Sequence, residues 1–174
     1  TEAEEEEYNS LLDVTGTGIM GYVEIPKLKM SLPIYHGTED TVLQIAVGHL
    51  EGSSLPVGGS GTHCVLTGHR GLPSAKLFSN LDEMEEGDTF SIHVLDRTLT
   101  YQVDQIRIVE PREVEDLEIE EGKDYCPLLT CTPYGINSHR LLVRGYRIAN
   151  AVSAQRIPAD AVQIDIVIVV LAVA

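Results

Sequence analysis

Short apolar runs separated by turn residues recur along this chain, and they constrain its fold more than any other feature. The runs are rich in Val, Ile and Leu, and glycine or proline stands in many of the segments between them. Such residues favour strands and turns respectively. The segments that we interpret as strands are Met20–Ile25, Lys29–Ile34, Thr62–Gly68, Thr89–Val94, Thr98–Val109, Leu128–Cys131 and Leu141–Ile148. About eight short strands in one small domain predict a mainly β fold, a closed or nearly closed antiparallel barrel.

Short helices are predicted beside these strands. An acidic first turn followed by Leu11 and Leu12 indicates a helix over Thr1–Val14. A second helix is predicted between Thr38, a suitable N-cap, and Gly48, a residue type that ends helices.

Composition supports one globular domain and limits its partners. The chain has 174 residues, of which 43% are apolar, and its formal net charge is -15. An acidic surface argues against nucleic acid, because phosphate binding needs basic patches. The acid is concentrated in Glu4–Glu7 and Glu113–Glu121. We interpret these segments as solvated surface, with attraction of a lysine-bearing acceptor protein as the alternative.

The three cysteines are Cys64, Cys126 and Cys131. An odd number leaves at least one thiol free or paired between chains, and the spacing fits no zinc motif. We expect neither a metal nor a cofactor.

Two reactive residue types flank one turn-rich loop. Cys131 ends one predicted strand, and Arg140 comes just before the next, with Pro133, Gly135 and Asn137 between them. A thiolate can attack a carbonyl carbon, and the oxyanion that develops needs hydrogen-bond donors, which a guanidinium supplies at any working pH. This pair therefore suggests acyl transfer. Arg144 lies four residues after Arg140, so it can share the same face of the strand. It is the alternative candidate for the oxyanion-binding arginine.

The acid or base for the leaving amine is assigned to His69, which follows an apolar run and precedes Gly71. His63 can share its face, at the far end of the same predicted strand. Cys64 lies at an odd offset from His69, as Cys126 does from Cys131, so a regular strand turns both thiols to the opposite side. We interpret Cys64 and Cys126 as core or surface thiols.

Residues beside the nucleophile complete the candidate site. Thr130, Thr132 and Tyr134 flank Cys131, and we expect them to shape the substrate pocket.

Several of these segments, in this order, resemble the class C sortases, the pilin-polymerising transpeptidases of Gram-positive bacteria. The similarity covers roughly residues 8 to 148. Its segments are Cys131–Gly135 with Asn137 and Arg140–Gly145, the histidine segment Thr67–Pro73, and the opening strands Gly21–Pro26 and Leu32–Gly37. One residue departs from the family pattern, because Pro127 stands where a threonine is usual. Proline removes a strand donor, so we expect the start of that strand to be frayed or at an edge.

The resemblance implies an eight-stranded sortase-type β-barrel with short connecting helices. It also implies a cysteine transpeptidase that cleaves a Leu-Pro-x-Thr-Gly-like sorting signal between Thr and Gly through a thioester. His69, Cys131 and Arg140 would be catalytic. The donors would be pilin or surface proteins carrying a sorting signal, and the acceptor would be a pilin lysine. The enzyme would act at the extracellular face of the cell membrane.

Three alternatives to this function remain open. A housekeeping sortase would attach proteins to peptidoglycan, and a plain cysteine protease would pass the acyl group to water. A non-catalytic β-barrel adhesin module would do neither.

The predicted organisation has three parts. Residues 1–19 form an N-terminal helix that follows a possible lid, residues 20–148 form the catalytic barrel, and residues 149–174 form a C-terminal tail. The resemblance implies a lid with an Asp-Pro-aromatic motif, but no Asp-Pro precedes the first strand. We therefore expect Cys131 to be uncovered in this chain. The apolar run Ile166–Ala174 is too short to span a bilayer, and it is either the start of a membrane anchor or a terminal strand or helix.

Overall fold

The computed structural model describes residues 1–72 and 75–151. The described chain is mainly β. The strands are β1 (Ile19–Ile25), β2 (Met30–His36), β3 (Val47–His49), β4 (Thr62–His63), β5 (Leu66–Thr67), β6 (Thr89–Val94), β7 (Arg97–Val109), β8 (Asp124–Thr132) and β9 (His139–Ile148). The helices are α1 (Glu2–Ser10) and α2 (Asp40–Leu43), with single 3-10 turns at Pro26–Leu28, Leu81–Glu83 and Glu115–Leu117.

The strands close into a barrel. Neighbours pair in the order β4-β8-β5-β3-β2-β1-β6-β7-β9, and β8 also pairs with β9, which completes the ring. β4 and β5 both lie along the same side of β8, so the ring is eight strands around. This confirms the mainly β, eight-stranded barrel.

The prediction that the barrel is antiparallel was wrong. β2 pairs with β3 in parallel, and β4 and β5 both pair with β8 in parallel. Parallel neighbours need a crossover connection rather than a tight hairpin. The helix α2 lies in the first crossover, and the β6–β7 hairpin lies within the second.

The segment after Thr38 differs from its prediction. Glu39, not Thr38, occupies the N-cap position of α2, without a capping hydrogen bond from its side chain. The helix ends at Leu43, and Val47–His49 is a strand rather than the last turn of a helix. Leu43 and Val47 are both buried. A helix with its apolar face turned inward would bury them too, so burial alone does not distinguish the helix from the strand. The ladder in which Ile34 pairs with Val47 decides between the two, because sheet pairing overrides a short helical pattern.

Pro127 does not fray its strand or lie at an edge, which corrects a second expectation. It lies within β8, buried, between the positions where Tyr125 pairs with β4 and Leu128 pairs with β5. The parallel ladder is interrupted at this point, so a missing backbone donor costs no regular ladder bond there.

The barrel interior is filled by alternating residues of its strands. In β6 the buried positions are Phe90, Ile92 and Val94, and in β7 they include Leu99, Tyr101 and Val103. Phe90 and Tyr101 stack with ring centroids 5.5 Å apart. Period-two burial of this kind leaves the opposite positions facing outward, and the candidate site lies on such an outward face.

The N-terminal helix is shorter than predicted. α1 begins after the N-cap Thr1 and ends at Ser10, because Leu11 is extended and Leu12 has a positive φ of 61°. No residue of α1 is fully buried. Tyr8 attaches the helix to the barrel, since its hydroxyl lies 2.8 Å from Nδ1 of His49 and accepts a hydrogen bond from the Gly37 amide.

The tail was predicted over residues 149–174, and its apolar run Ile166–Ala174 lies outside the described residues. Within the described ranges, no helix has the length and apolar character that a bilayer crossing requires.

Candidate active site

Three neighbouring strands bring the three predicted catalytic residues together. Thr67 of β5 pairs in parallel with Leu129 of β8, so His69 and Cys131 each follow a directly paired residue by two positions. On the other side of β8, Cys131 pairs directly with Arg140 of β9. Adjacent strands lie about 4.8 Å apart and positions two residues apart share a face. The cysteine therefore lies between the histidine and the arginine, in a row across the sheet.

The row opens into a cleft of about 360 Å³, which His69, Cys131 and Arg140 all line. Apolar side chains form much of its wall: Leu43, Leu50, Val114, Leu117, Leu129 and Leu142. Glu110 and Glu113, from the β7–β8 connection, form an acidic part of the rim. No residue of 1–19 is among the described residues that line the cleft.

Cys131 is the one of the three thiols with solvent contact. It is partly exposed, whereas Cys64 and Cys126 are 1% and 0% exposed and belong to the hydrophobic core. For Cys126 this follows from its odd offset from Cys131 within β8, as predicted. Cys64 lies between β4 and β5, where the predicted strand Thr62–Gly68 is interrupted, so its offset from His69 does not determine its burial. A peptide substrate can reach only Cys131.

A second thiol–imidazole pair is present but closed to substrate. Burial disfavours the Cys64 thiolate, but hydrogen bonds with Cys126 and His49 outweigh it and lower the pKa of Cys64 to about 7. Both ring nitrogens of His49 also have oxygen partners, the Tyr8 hydroxyl and the Ser54 carbonyl. His49 is fully buried, so this pair has a structural role.

The position of His69 is set by the residue before it. The Gly68 amide donates to the Leu129 carbonyl at 3.1 Å, and the Gly68 carbonyl accepts from Thr130 Oγ1 at 2.8 Å. A side chain at Gly68 would meet the Phe78 ring at 2.7 Å, so glycine is required for this close approach. Among the described residues, no carboxylate pairs with the His69 ring.

The two candidate arginines have different surroundings. Arg140 lines the cleft, and its Nη1 donates to the backbone carbonyls of Asn137 and His139 at 3.3 and 3.1 Å. Arg144 makes two hydrogen bonds to Asp104, at 3.0 and 2.9 Å, and lies 4.1 Å from the Tyr125 ring centroid. Arg144 is committed to a structural ion pair, whereas no carboxylate among the described residues pairs with Arg140.

The three residues expected to shape the pocket are placed differently from one another. Thr130 is buried, lines the cleft and is bonded to Gly68. Thr132 is buried and accepts a hydrogen bond from Arg70, and Tyr134 is 62% exposed with its ring near the same guanidinium. Thr132 and Tyr134 are not among the described residues that line the cleft.

Sequence reasoning missed two features of this site. The first is Arg70, whose side chain is 9% exposed and forms an ion pair with Asp82. Its position next to His69 is the one sequence feature that could have drawn attention to it. The second is the wall supplied by the β7–β8 connection, which the sequence shows only as an acidic segment.

No group of three or more His, Cys, Asp or Glu side chains suited to a metal ion occurs in the ranges 1–72 and 75–151.

The fold and the cleft define a class of protein: a small mixed β-barrel that presents a reachable cysteine between a histidine and an arginine. Comparison with known proteins identifies the family. The model of the sortase domain matches residues 23–148, and the chain belongs to the sortase family.

Solved structures refine this assignment. Sortase C1 from Streptococcus agalactiae is 58% identical, with a TM-score of 0.84 over 86% of this chain and 78% of that one. Sortase C from Streptococcus pneumoniae, whose structure is described as informing its pilin substrate specificity, is 59% identical, with a TM-score of 0.76 over 77% of this chain and 68% of that one. These structural neighbours are class C sortases, so the expected resemblance is confirmed.

A more distant relative is the sortase D of Bacillus subtilis (strain 168), 30% identical over 131 residues. The matched region is 74% of this chain and 63% of that protein, so the chain spans less than two thirds of its length. Sortases act on sorting signals at the cell envelope.

Proposed function

We propose that this chain is the catalytic domain of a class C sortase, a cysteine transpeptidase that takes part in pilus assembly. The observation that carries the proposal is the row of His69, Cys131 and Arg140 across three paired strands, open to one cleft. The similarity to class C sortases of two streptococci supports the same assignment.

In the first step, the Cys131 thiolate, whose proton His69 has taken up, attacks the threonine carbonyl carbon of a Leu-Pro-x-Thr-Gly-like sorting signal. The new S–C bond places negative charge on the carbonyl oxygen, and Arg140 donates N–H groups to it. The C–N bond to glycine then breaks, His69 protonates the leaving amine, and a thioester remains on Cys131.

In the second step, an amine replaces glycine. His69 removes a proton from the incoming amine, which attacks the thioester carbonyl carbon. The C–S bond breaks and the thiolate returns to Cys131. For a class C enzyme we propose a pilin lysine as this amine.

The shape of the cleft suits such a substrate. Its apolar wall can hold the leucine and proline of a sorting signal, since burying apolar side chains drives association. Of the three residues predicted to bind substrate, we retain Thr130 as part of the cleft wall, and we propose that Thr132 and Tyr134 act from behind it through Arg70.

We further propose that the donors are pilin or surface proteins, and that the enzyme works at the extracellular face of a Gram-positive cell membrane, anchored in the full-length protein. The three-part organisation into residues 1–19, 20–148 and 149–174 is proposed on the same basis.

The test incubates the chain with a sorting-signal peptide and a lysine-bearing pilin peptide, and follows products by mass. We expect a transfer product, and a thioester adduct that Cys131→Ala abolishes while Cys64→Ala and Cys126→Ala retain. Hydrolysis without transfer to any amine would identify a protease, and no reaction at all would identify a binding module. Transfer only to a peptidoglycan-type stem peptide would identify a housekeeping sortase. An adduct on the Cys131→Ala protein would refute the assignment of the nucleophile.

A further inference from the structure

The residue after the candidate catalytic histidine makes contacts with three separate parts of the chain. Arg70 Nη2 lies 2.7 Å from a carboxylate oxygen of Asp82, just before β6. Arg70 Nη1 donates to Thr132 Oγ1 at 3.2 Å, one residue after the candidate nucleophile. The guanidinium carbon lies 5.8 Å from the ring centroid of Tyr134, in the loop after β8.

These contacts connect the histidine turn to the cysteine strand. The last backbone hydrogen bond between the two segments joins the Gly68 amide to the Leu129 carbonyl, just before His69 and Cys131. Beyond that point, Arg70 supplies the side-chain connection to Thr132 and Tyr134. Gly71 adds to it, because a side chain at Gly71 would meet the Tyr134 ring at 2.9 Å. The tyrosine ring therefore packs directly on the histidine turn.

The burial of Arg70 shows that it is not an ordinary surface arginine. Its side chain is 9% exposed, and its Nε atom is buried without a hydrogen-bond partner among the described residues. Holding a guanidinium in this way has a desolvation cost, which its contacts with Asp82 and Thr132 offset. An apolar residue at this position would avoid the desolvation cost. The arginine is therefore better explained by the contacts that it makes than by a contribution to stability.

We propose that Arg70 is a positioning residue for the transpeptidase reaction, which holds the His69 turn in register with Cys131 by bridging Asp82 and Thr132. This inference rests on the proposed function. The arginine touches neither the reacting atoms nor the cleft, since it is not among the described residues that line it. It acts by fixing the distance between imidazole and thiol, to which proton transfer is sensitive.

The chain offers a matched control in Arg147 of β9. Its side chain is 26% exposed, lies 3.6 Å from Asp124 and is 5.9 Å from the Tyr101 ring centroid. Its Nε atom is also buried without a partner among the described residues. Arg147 has the same kinds of contact as Arg70, but its partners Asp124 and Tyr101 belong neither to the histidine turn nor to the segment after Cys131.

The experiment compares Arg70→Met, Arg70→Lys and Arg147→Met with the unmodified chain in the sorting-signal transfer assay. We expect Arg70→Met to lower kcat about ten- to a hundred-fold with KM changed less than about two-fold, because misplacement by about 1 Å has effects of this size. Arg70→Lys should recover only part of kcat, since one ammonium lacks the planar fork that reaches both oxygen partners. Arg147→Met should keep the kcat of the unmodified chain, even if its melting temperature falls by as much as that of Arg70→Met.

Two further measurements separate positioning from general damage. Alkylation of Cys131 by iodoacetamide should proceed at an unchanged rate in Arg70→Met, because β8 remains paired with β9. Hydrogen exchange at the Gly71 amide, which donates to Ser79 Oγ at 3.1 Å, should become faster in Arg70→Met and stay unchanged in Arg147→Met.

An Arg70→Met protein with unchanged kcat, or one whose loss is matched by Arg147→Met at equal melting temperature, overturns the inference. If the unmodified chain transfers nothing, the proposed function fails. The exchange measurement then still decides whether Arg70 holds the turn.

Discussion

The hydrogen bond between Thr130 and Gly68 is the feature whose removal tests the geometry of the site most directly. Thr130 Oγ1 donates to the Gly68 carbonyl at 2.8 Å, and Thr130 is 1% exposed. Thr130→Val keeps the shape of the side chain and removes the donor. A buried carbonyl left without its partner costs about 1–3 kcal/mol.

The expected loss is large enough to measure by thermal unfolding. In a domain of this size each 1 kcal/mol shifts the melting temperature by about 2–4 °C, so a loss of about 2 kcal/mol predicts a decrease of about 4–8 °C. Because Gly68 immediately precedes His69, kcat of the transfer reaction should also fall, with little change in KM.

Thr100→Val is the matched control, since its hydroxyl donates to the Asn150 side chain at 3.0 Å at a partly exposed position of β7. That change should cost little, and Thr130→Ser should restore most of the loss. The reasoning is refuted if Thr130→Val has the same melting temperature as the unmodified chain, or if the main effect of the substitution is a raised KM. The second outcome would show that the hydroxyl binds substrate instead.

Two further predictions concern the arginines and the thiols. Arg140→Ala should lower kcat/KM about a hundred-fold or more, as loss of an oxyanion donor does, while Arg144→Ala should mainly lower the melting temperature because it breaks the bidentate pair with Asp104. A larger activity loss in Arg144→Ala would show that the roles are reversed. Under native conditions iodoacetamide should modify Cys131 far faster than the two core thiols, and deletion of residues 1–7 should leave that rate unchanged. Slow modification of Cys131 that this deletion accelerates would contradict an uncovered site.

The placement of Cys131 beside Arg140 in the candidate site could be predicted from the sequence because it depends on local rules. Cys131 and Arg140 flank one short loop, so a strand–loop–strand pattern is enough to bring them together. The parity of β8 then separates Cys131 from the buried Cys126. The choice of His69 rested on its place after an apolar run, and the family resemblance reinforced it.

The parts that escaped prediction depend on long-range pairing. Val47–His49 carries a pattern that suits a helix or a strand equally, and only its partner β2 decides between them. The parallel direction of β5 and β8 likewise depends on a crossover whose path no local pattern specifies. Arg70 was missed because its partners Asp82 and Thr132 lie far from it in sequence.

The uneven lengths of the two ladders on β8 have a consequence for the order of folding. β8 and β9 pair from Tyr125 to Thr132 across a short loop, whereas β5 contributes only Leu66 and Thr67 to its ladder with β8. Closing a short loop costs less entropy than joining segments 62 residues apart, such as Gly68 and Thr130. We therefore expect the thiol and the guanidinium to meet early, in a local hairpin, and the imidazole to join them when the barrel closes. A chain that has not finished folding therefore holds the Cys131–Arg140 pair without His69, and the three side chains share one cleft only once the barrel is complete.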